Sequence, residues 1–217
     1  MSLVKPANAA INKGLGFASS PEDLSLFLEP DCAATIWDRP VSPALISWLN
    51  GLAPHELPQW REIVAVEAVH EAVLDACEEA GTPDCQERAE LIADVQELAD
   101  AFAGIMQAEF VQVRLDVIRS NACRRFHVDA VTGRLVCTYR GTGTQYAYGG
   151  GDSGDSDQEP RSIETVSSGA PILLRGTLWP DKGQSGLLHR SPPIEGTGET
   201  RLVLVLDPIF DQDPEAS

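Results

Sequence analysis

The chain is poor in basic side chains. Lysine and arginine number 16 against 33 aspartates and glutamates, a formal net charge of −17. A surface of that sign repels phosphate backbones and anionic lipid, so neither nucleic acid nor a membrane surface is expected as a partner. No apolar run reaches the ~20 residues that span a bilayer. The N-terminus lacks the basic flank and apolar stretch of a signal peptide. Cysteine is sparse and odd in number: Cys32, Cys77, Cys85, Cys123 and Cys137. With no Cys-x-x-Cys pair among them, a disulfide framework or zinc ribbon is excluded, and a reducing, cytoplasmic setting is expected. Also missing are a Gly-x-Ser-x-Gly nucleophile elbow, a phosphate loop and an Asp-x-Asp-x-Asp-Gly calcium loop.

What is present suits one globular domain. A chain of 217 residues, 43% hydrophobic, can bury a core without covalent staples. The first 110 residues read as mainly helical. Ser20-Pro21 and Ser42-Pro43 open two short capped helices. Trp60, Ile63, Val66, Val69, Val73 and Ala76 fit a helical stripe, predicting one helix from about Pro58 to Ala80 with Gly81 as its stop. A second long helix is predicted from Thr82 to about Phe110, with Leu91, Ile92, Val95, Leu98 and Phe102 on its buried face.

At Val111 the period changes to alternation. "VQVRLDVIR", "RLVCTYR", "APILLRGTLW", "GLLHRS" and "RLVLVLD" read as strands. Helices followed by several short strands predict an α+β fold, an N-terminal helical layer packed on a curled antiparallel sheet, either a jelly roll or a barrel. We expect a single domain over 1–217, mainly helical over 1–110, with the metal-binding jelly roll over 111–208. The Gly-, Ser- and Asp-rich stretch within 141–169 is expected to be a flexible loop or lid, with Tyr146 and Tyr148 as closing contacts.

The candidate chemistry lies in the strand region. Only four histidines occur, and two of them flank this half: His127, in His127-Val128-Asp129, and His189 in "GLLHRS". In extended backbone, His127 and Asp129 project to the same side. Two imidazoles and a carboxylate can hold a divalent metal on one face and leave the other open, the facial triad of non-haem Fe(II) oxygenases. Arg201, which opens the clearest strand, has the planar fork that grips a carboxylate. Alternation puts Leu135, Cys137 and Tyr139 on one face of their strand and Arg134, Val136 and Thr138 on the other. The first face looks the more core-like, so Tyr139 is either a core aromatic or a second contact to a bound carboxylate. Arg175 and Arg190 are alternative anion anchors.

His127-x-Asp129, then His189, then Arg201 resembles the pattern of the 2-oxoglutarate/Fe(II) oxygenase superfamily, whose fold is a cupin-like double-stranded β-helix. This likeness covers the C-terminal half. "CRRFHVD", "RLVCTYRGTGT" and "GLLHRSPP…TRLVLVLD" resemble, over roughly residues 30 to 208, a bacterial family known as domain of unknown function 1826. The superfamily resemblance implies a dioxygenase in which His127, Asp129 and His189 hold Fe(II), a 2-oxo acid chelates the iron, and Arg201 pairs with its far carboxylate. The sequence departs at one point: superfamily members commonly carry Ser or Thr two residues after that arginine, and here the residue is Val203.

Two other readings stay open. The same scaffold could be a non-catalytic zinc-binding or metal-homeostasis protein, with Cys123 and Cys137 joining the histidines as soft ligands. Alternatively, the ligands are polar relics on a metal-free fold. His70, in Glu67-Ala68-Val69-His70, has half of a helical di-metal motif, but the second helix has no histidine. The primary substrate is not legible.

Overall fold

A computed structural model of the chain describes residues 10–148, 160, 162–180 and 186–210. The chain begins with a hairpin, β1 (Ala10–Asn12) and β2 (Leu15–Ala18). Lys13 and Gly14 turn it, both at positive φ (50° and 83°), the conformation that two-residue hairpin loops require. A 3₁₀ helix over Pro21–Leu28 follows, its start tied by the Asp23 carboxylate, which accepts from the Ser19 and Ser20 backbone N–H groups. Then come β3 (Ala34–Trp37) and α1 (Pro43–Gly51), capped by Ser42 Oγ accepting from Leu45 N. Next are β4 (Trp60–Ala65), α2 (Val69–Glu79) and α3 (Gln86–Met106), which ends at Gln107 in the left-handed region. The remainder is strands: β5 (Phe110–Ile118), β6 (Gly133–Arg140), β7 (Gln145–Tyr148), β8 (Glu164–Thr165), β9 (Pro171–Arg175), β10 (Leu187–Arg190) and β11 (Arg201–Ile209).

Eight strands form one sheet in the order β1-β2-β3-β9-β6-β11-β5-β4, antiparallel except for β2–β3. A second sheet, β10-β7-β8, has three strands. The centre of the large sheet is buried on both faces. Leu135, Cys137 and Tyr139 of β6, Val111, Val113 and Leu115 of β5, and Leu202, Leu204 and Leu206 of β11 pack against α1, α2 and α3. The alternate residues Val136, Val203 and Val205 face the other way, with Ile172, Leu174 and Leu187 of the second cluster. Each such side chain removed from water stabilises the fold by roughly 1.5–3 kcal/mol. Among the described residues, no helix is long and apolar enough to cross a membrane.

The structure corrects several expectations. Pro58–Ala80 is not one helix: Trp60–Ala65 is a strand paired with β5, and the helix begins only at Val69. Trp60, Ile63 and Val66 mimic a helical stripe, but Ile63 and Val64 are β-branched, and pairing along six residues decides the matter. The second helix stops at Met106, and Phe110 already belongs to β5. The first 110 residues contribute four strands to the large sheet, two of them next to C-terminal strands (β3–β9 and β4–β5). Within 141–169, Tyr146 and Tyr148 lie in β7, paired with His189 and Leu187 of β10. Residues 149–159 and 161 fall outside the described residues.

Candidate metal centre

One strand and one extended segment between strands bring the candidate ligands together. His189 sits on β10. His127 lies in the segment before β6 and pairs with it as an isolated antiparallel bridge. Val128 points outward and is 39% exposed, as the alternation of extended backbone requires. Asp129 then turns its carboxylate back between the two rings. Its Oδ1 lies 3.2 Å from His127 Nε2 and its Oδ2 lies 3.0 Å from His189 Nε2. One ligand atom from each of the three residues falls within 4.8 Å of the others, and among the described residues this is the one such group. The ring centroids are 4.6 Å apart.

The donor set fits a divalent cation. His127 Nδ1 lies 2.8 Å from the Arg125 carbonyl oxygen. A carbonyl only accepts, so Nδ1 carries a proton, and in the neutral ring the Nε2 lone pair faces the Asp129 carboxylate. Two lone pairs facing each other need a cation between them, a second proton or a metal ion. Burial alone would raise the Asp129 pKa. The hydrogen bond and charge of His189, then the charges of Arg134 and His127, outweigh it and hold the carboxyl ionised, well below the usual carboxylate range.

Sequence reasoning missed two residues of this centre. Arg134 Nη1 lies 2.8 Å from Asp129 Oδ2, while Arg134 Nε and Nη2 bond Asp207 Oδ1 and Oδ2 at 2.6 and 2.8 Å. The triplet anchors Asp129 to the large sheet. A signal existed: Asp207 closes an apolar strand on the same parity as Arg201, and charges buried in a strand need partners.

Arg201 is 1% exposed, because β11 lies inside the large sheet, between β6 and β5. Its Nε donates to the Thr142 carbonyl (2.7 Å), Nη1 to Ser191 Oγ (3.3 Å) and Nη2 to Thr138 Oγ1 (3.2 Å). All three acceptors are neutral. Among the described residues no carboxylate comes within 4.0 Å of it, and burial pulls its pKa down to about 10 despite the charge of Glu199. Thr138 pairs with Val203 across β6–β11, so a hydroxyl stands beside the guanidinium although position 203 has none. Arg201, the three candidate ligands and Thr144 line one cavity of about 130 Å³.

Of the other candidates, Tyr139, Cys137 and Arg175 are not brought here. Tyr139 lies on the opposite face of the sheet, fully buried against the helices, its hydroxyl donating to Asp94, which Arg39 also grips. A sheet with two buried faces defeats parity: alternation tells which residues share a face, not which face holds the ligand. Cys137 shares that far face, its thiol pushed up to about 12 by burial, so it cannot join Cys123 and the histidines around one zinc ion. Arg175 caps the end of the 3₁₀ helix through the Phe27, Glu29 and Pro30 carbonyls. Arg190 lines the cavity and bonds Gln145 Oε1.

No curated protein matches the chain. Several solved structures do. The dioxygenase for auxin oxidation 1 from Arabidopsis thaliana, as its 2-oxoglutarate complex, is 11% identical over 92% of this chain and 94% of its own, with a TM-score of 0.47. A full-length Neurospora crassa protein, in complex with alpha-KG, is 10% identical over 94% and 88%, with a TM-score of 0.40. A Pseudomonas putida prolyl-4-hydroxylase is 16% identical over 80% and 98%, with a TM-score of 0.33. At such distances an activity has to come from the site's own residues. The family model of the proteins of unknown function DUF1826 matches residues 18–207, and the chain belongs to that family.

Proposed function

From the geometry of this site we propose that the protein is a non-haem Fe(II), 2-oxoglutarate-dependent oxygenase, its two sheets forming the walls of a double-stranded β-helix. One observation carries the reading: a His-Asp-His cluster and a buried arginine without a carboxylate partner line the same cavity. A buried guanidinium that meets only neutral oxygens is poised for an anion, and a dicarboxylate could reach both Arg201 and a metal ion.

His127, Asp129 and His189 would hold the iron and leave one side of it open to the cavity. Bound iron would supply the redox chemistry that couples dioxygen reduction to decarboxylation of the oxo acid and oxygenation of a C–H bond. The protein's own groups do the positioning. The Arg125 carbonyl sets the His127 tautomer, Arg134 fixes the Asp129 carboxylate, and Thr138 and Ser191 hold the Arg201 fork in plane. Val136, Val203 and Val205 line the cavity between them with apolar surface that excludes water. All five cysteines are free thiols, in keeping with a cytoplasmic setting. The acidic surface disfavours nucleic acid and anionic membranes as partners.

The test is anaerobic titration with Fe(II) and Zn(II), then admission of oxygen with 2-oxoglutarate alone. The expected result is one metal per chain, oxo-acid binding only after metal, and slow release of succinate and carbon dioxide. Tight zinc binding with no affinity for the oxo acid would instead favour a non-catalytic zinc protein.

A further inference from the structure

Around the cavity the charge of the chain reverses. The whole sequence carries 33 acids and 16 bases, yet Phe110 to Arg140 holds six arginines (114, 119, 124, 125, 134 and 140) against Asp116 and Asp129 alone, a local surplus of four positive charges. Two of these arginines are already engaged. Arg134 serves Asp129 and Asp207, and Arg140 donates to the Leu49 and Leu52 carbonyls on the helix side. Arg119, Arg124 and Arg125 are exposed in the segment that also supplies Ala122 and Cys123 to the cavity wall.

Arg114 is different. It lines the cavity, its side chain is 19% exposed, and its Nε is buried without a hydrogen-bond partner among the described residues. Its one bond is long, Nη2 to Asp207 Oδ2 at 3.4 Å, and that oxygen is already held more closely by Arg134. Arg61 stands opposite it in β4 and adds repulsion. A buried N–H without an acceptor is destabilising, so a site that keeps one has a use for it. A guanidinium with free donors is the natural partner of carboxylate or phosphate.

Arg114 and Arg201 occupy separate stations. Arg201 pairs with Ile118 and Val205 pairs with Arg114, four residues further along β11, which at ~3.3 Å per residue separates them by roughly 13 Å. One small dicarboxylate held at Arg201 and the metal would therefore leave Arg114 free. The cavity, at about 130 Å³, is smaller than the ~300 Å³ of ordinary ligand pockets, so most of a primary substrate must lie at the rim.

We propose that the primary substrate is an anion, bearing a carboxylate or a phosphate that docks on Arg114 at the end of the cavity away from Arg201. This rests on the oxygenase reading above. The exposed arginines of the neighbouring segment would draw such a substrate to this basic region of an acidic protein.

The experiment uses the full chain loaded with Zn(II) and saturated with 2-oxoglutarate. Methyl phosphate and acetate are titrated separately, following the Arg114 Nε–H signal by NMR, assigned through its loss in Arg114→Lys. One of the two probes should shift that signal, which also tells phosphate from carboxylate. In calorimetry the same probe should bind Arg114→Gln at least tenfold more weakly. An unmoved signal with both probes, or equal binding by Arg114→Gln, would overturn the proposal. If Arg114→Gln does not fold, the wild-type signal decides. Failure of 2-oxoglutarate to bind before any probe is added would sink the oxygenase reading separately, while the probes still report on Arg114.

Discussion

His127 and His189 form a two-way backbone pair: His127 N donates to the His189 carbonyl at 3.0 Å, and His189 N donates to the His127 carbonyl at 3.1 Å. This single bridge extends the small sheet by one residue and sets the two imidazoles side by side. Asp129, two residues on, is tied through Arg134 to Asp207 in the large sheet. The candidate metal centre therefore straddles both sheets, held by backbone on one side and by an ion network on the other.

Asp129→Ala should abolish stoichiometric metal binding and leave the fold intact, because neither core cluster includes Asp129. Calorimetry and circular dichroism check both halves. Acid adds a signature. The folded carboxyl titrates below its unfolded value of ~3.9, so its stabilising contribution is present above that pH and fades as pH falls further. In metal-free protein, the stability gap between wild type and Asp129→Ala should shrink as pH falls below about pH 4. A gap that widens on acidification would contradict the assignment.

Arg201→Lys should weaken 2-oxoglutarate binding at least tenfold and leave metal affinity nearly unchanged. Lysine keeps the charge but loses the fork, and with it the donors to Thr142, Ser191 and Thr138. Calorimetry on the Zn(II)-loaded variant, with and without the oxo acid, measures the two terms. Equal oxo-acid affinity in wild type and variant would remove Arg201 from the site.

Tyr139→Phe should destabilise the protein by about 1–3 kcal/mol, since it takes a hydrogen bond from the half-buried Asp94 carboxylate. Metal and oxo-acid affinities should not change. Urea unfolding gives the first number and titration the second. A loss of oxo-acid binding without loss of stability would restore the ligand role expected from the sequence.

Gly176→Ala should cripple the metal centre from outside it. A Cβ there would fall 1.9 Å from the Val131 carbonyl oxygen and 2.8 Å from that of Asp129. The same loops are laced by Gly176 N to Thr132 O, Thr177 N to Asp129 O and Leu178 N to Val131 O. Backbone cannot yield to a methyl at that distance, so the Asp129 segment must shift. Metal affinity should drop at least tenfold, with a fall in thermal midpoint. Unchanged affinity would mean that Asp129 does not need this packing.

The local character of the chain determined much by itself. Alternation marked β5, β6 and β11. Sparse histidine next to an aspartate marked His127, Asp129 and His189, because few residue types hold metals and each stands out in a chain with four histidines. Arg201 was visible as a charge opening an apolar strand. Only the tertiary structure decided what those residues meet. Trp60–Ala65 fits a helical stripe, and only pairing with β5 makes it a strand. Tyr139 and Thr138 are neighbours in sequence, yet one bonds Asp94 under the helices and the other stands beside Arg201 in the cavity. Both faces of β6 are buried, so hydrophobicity carries no sign that distinguishes them. The partnership of Arg134 with Asp129 and Asp207 joins residues from distant segments, and such pairings exist only once the sheet order is set.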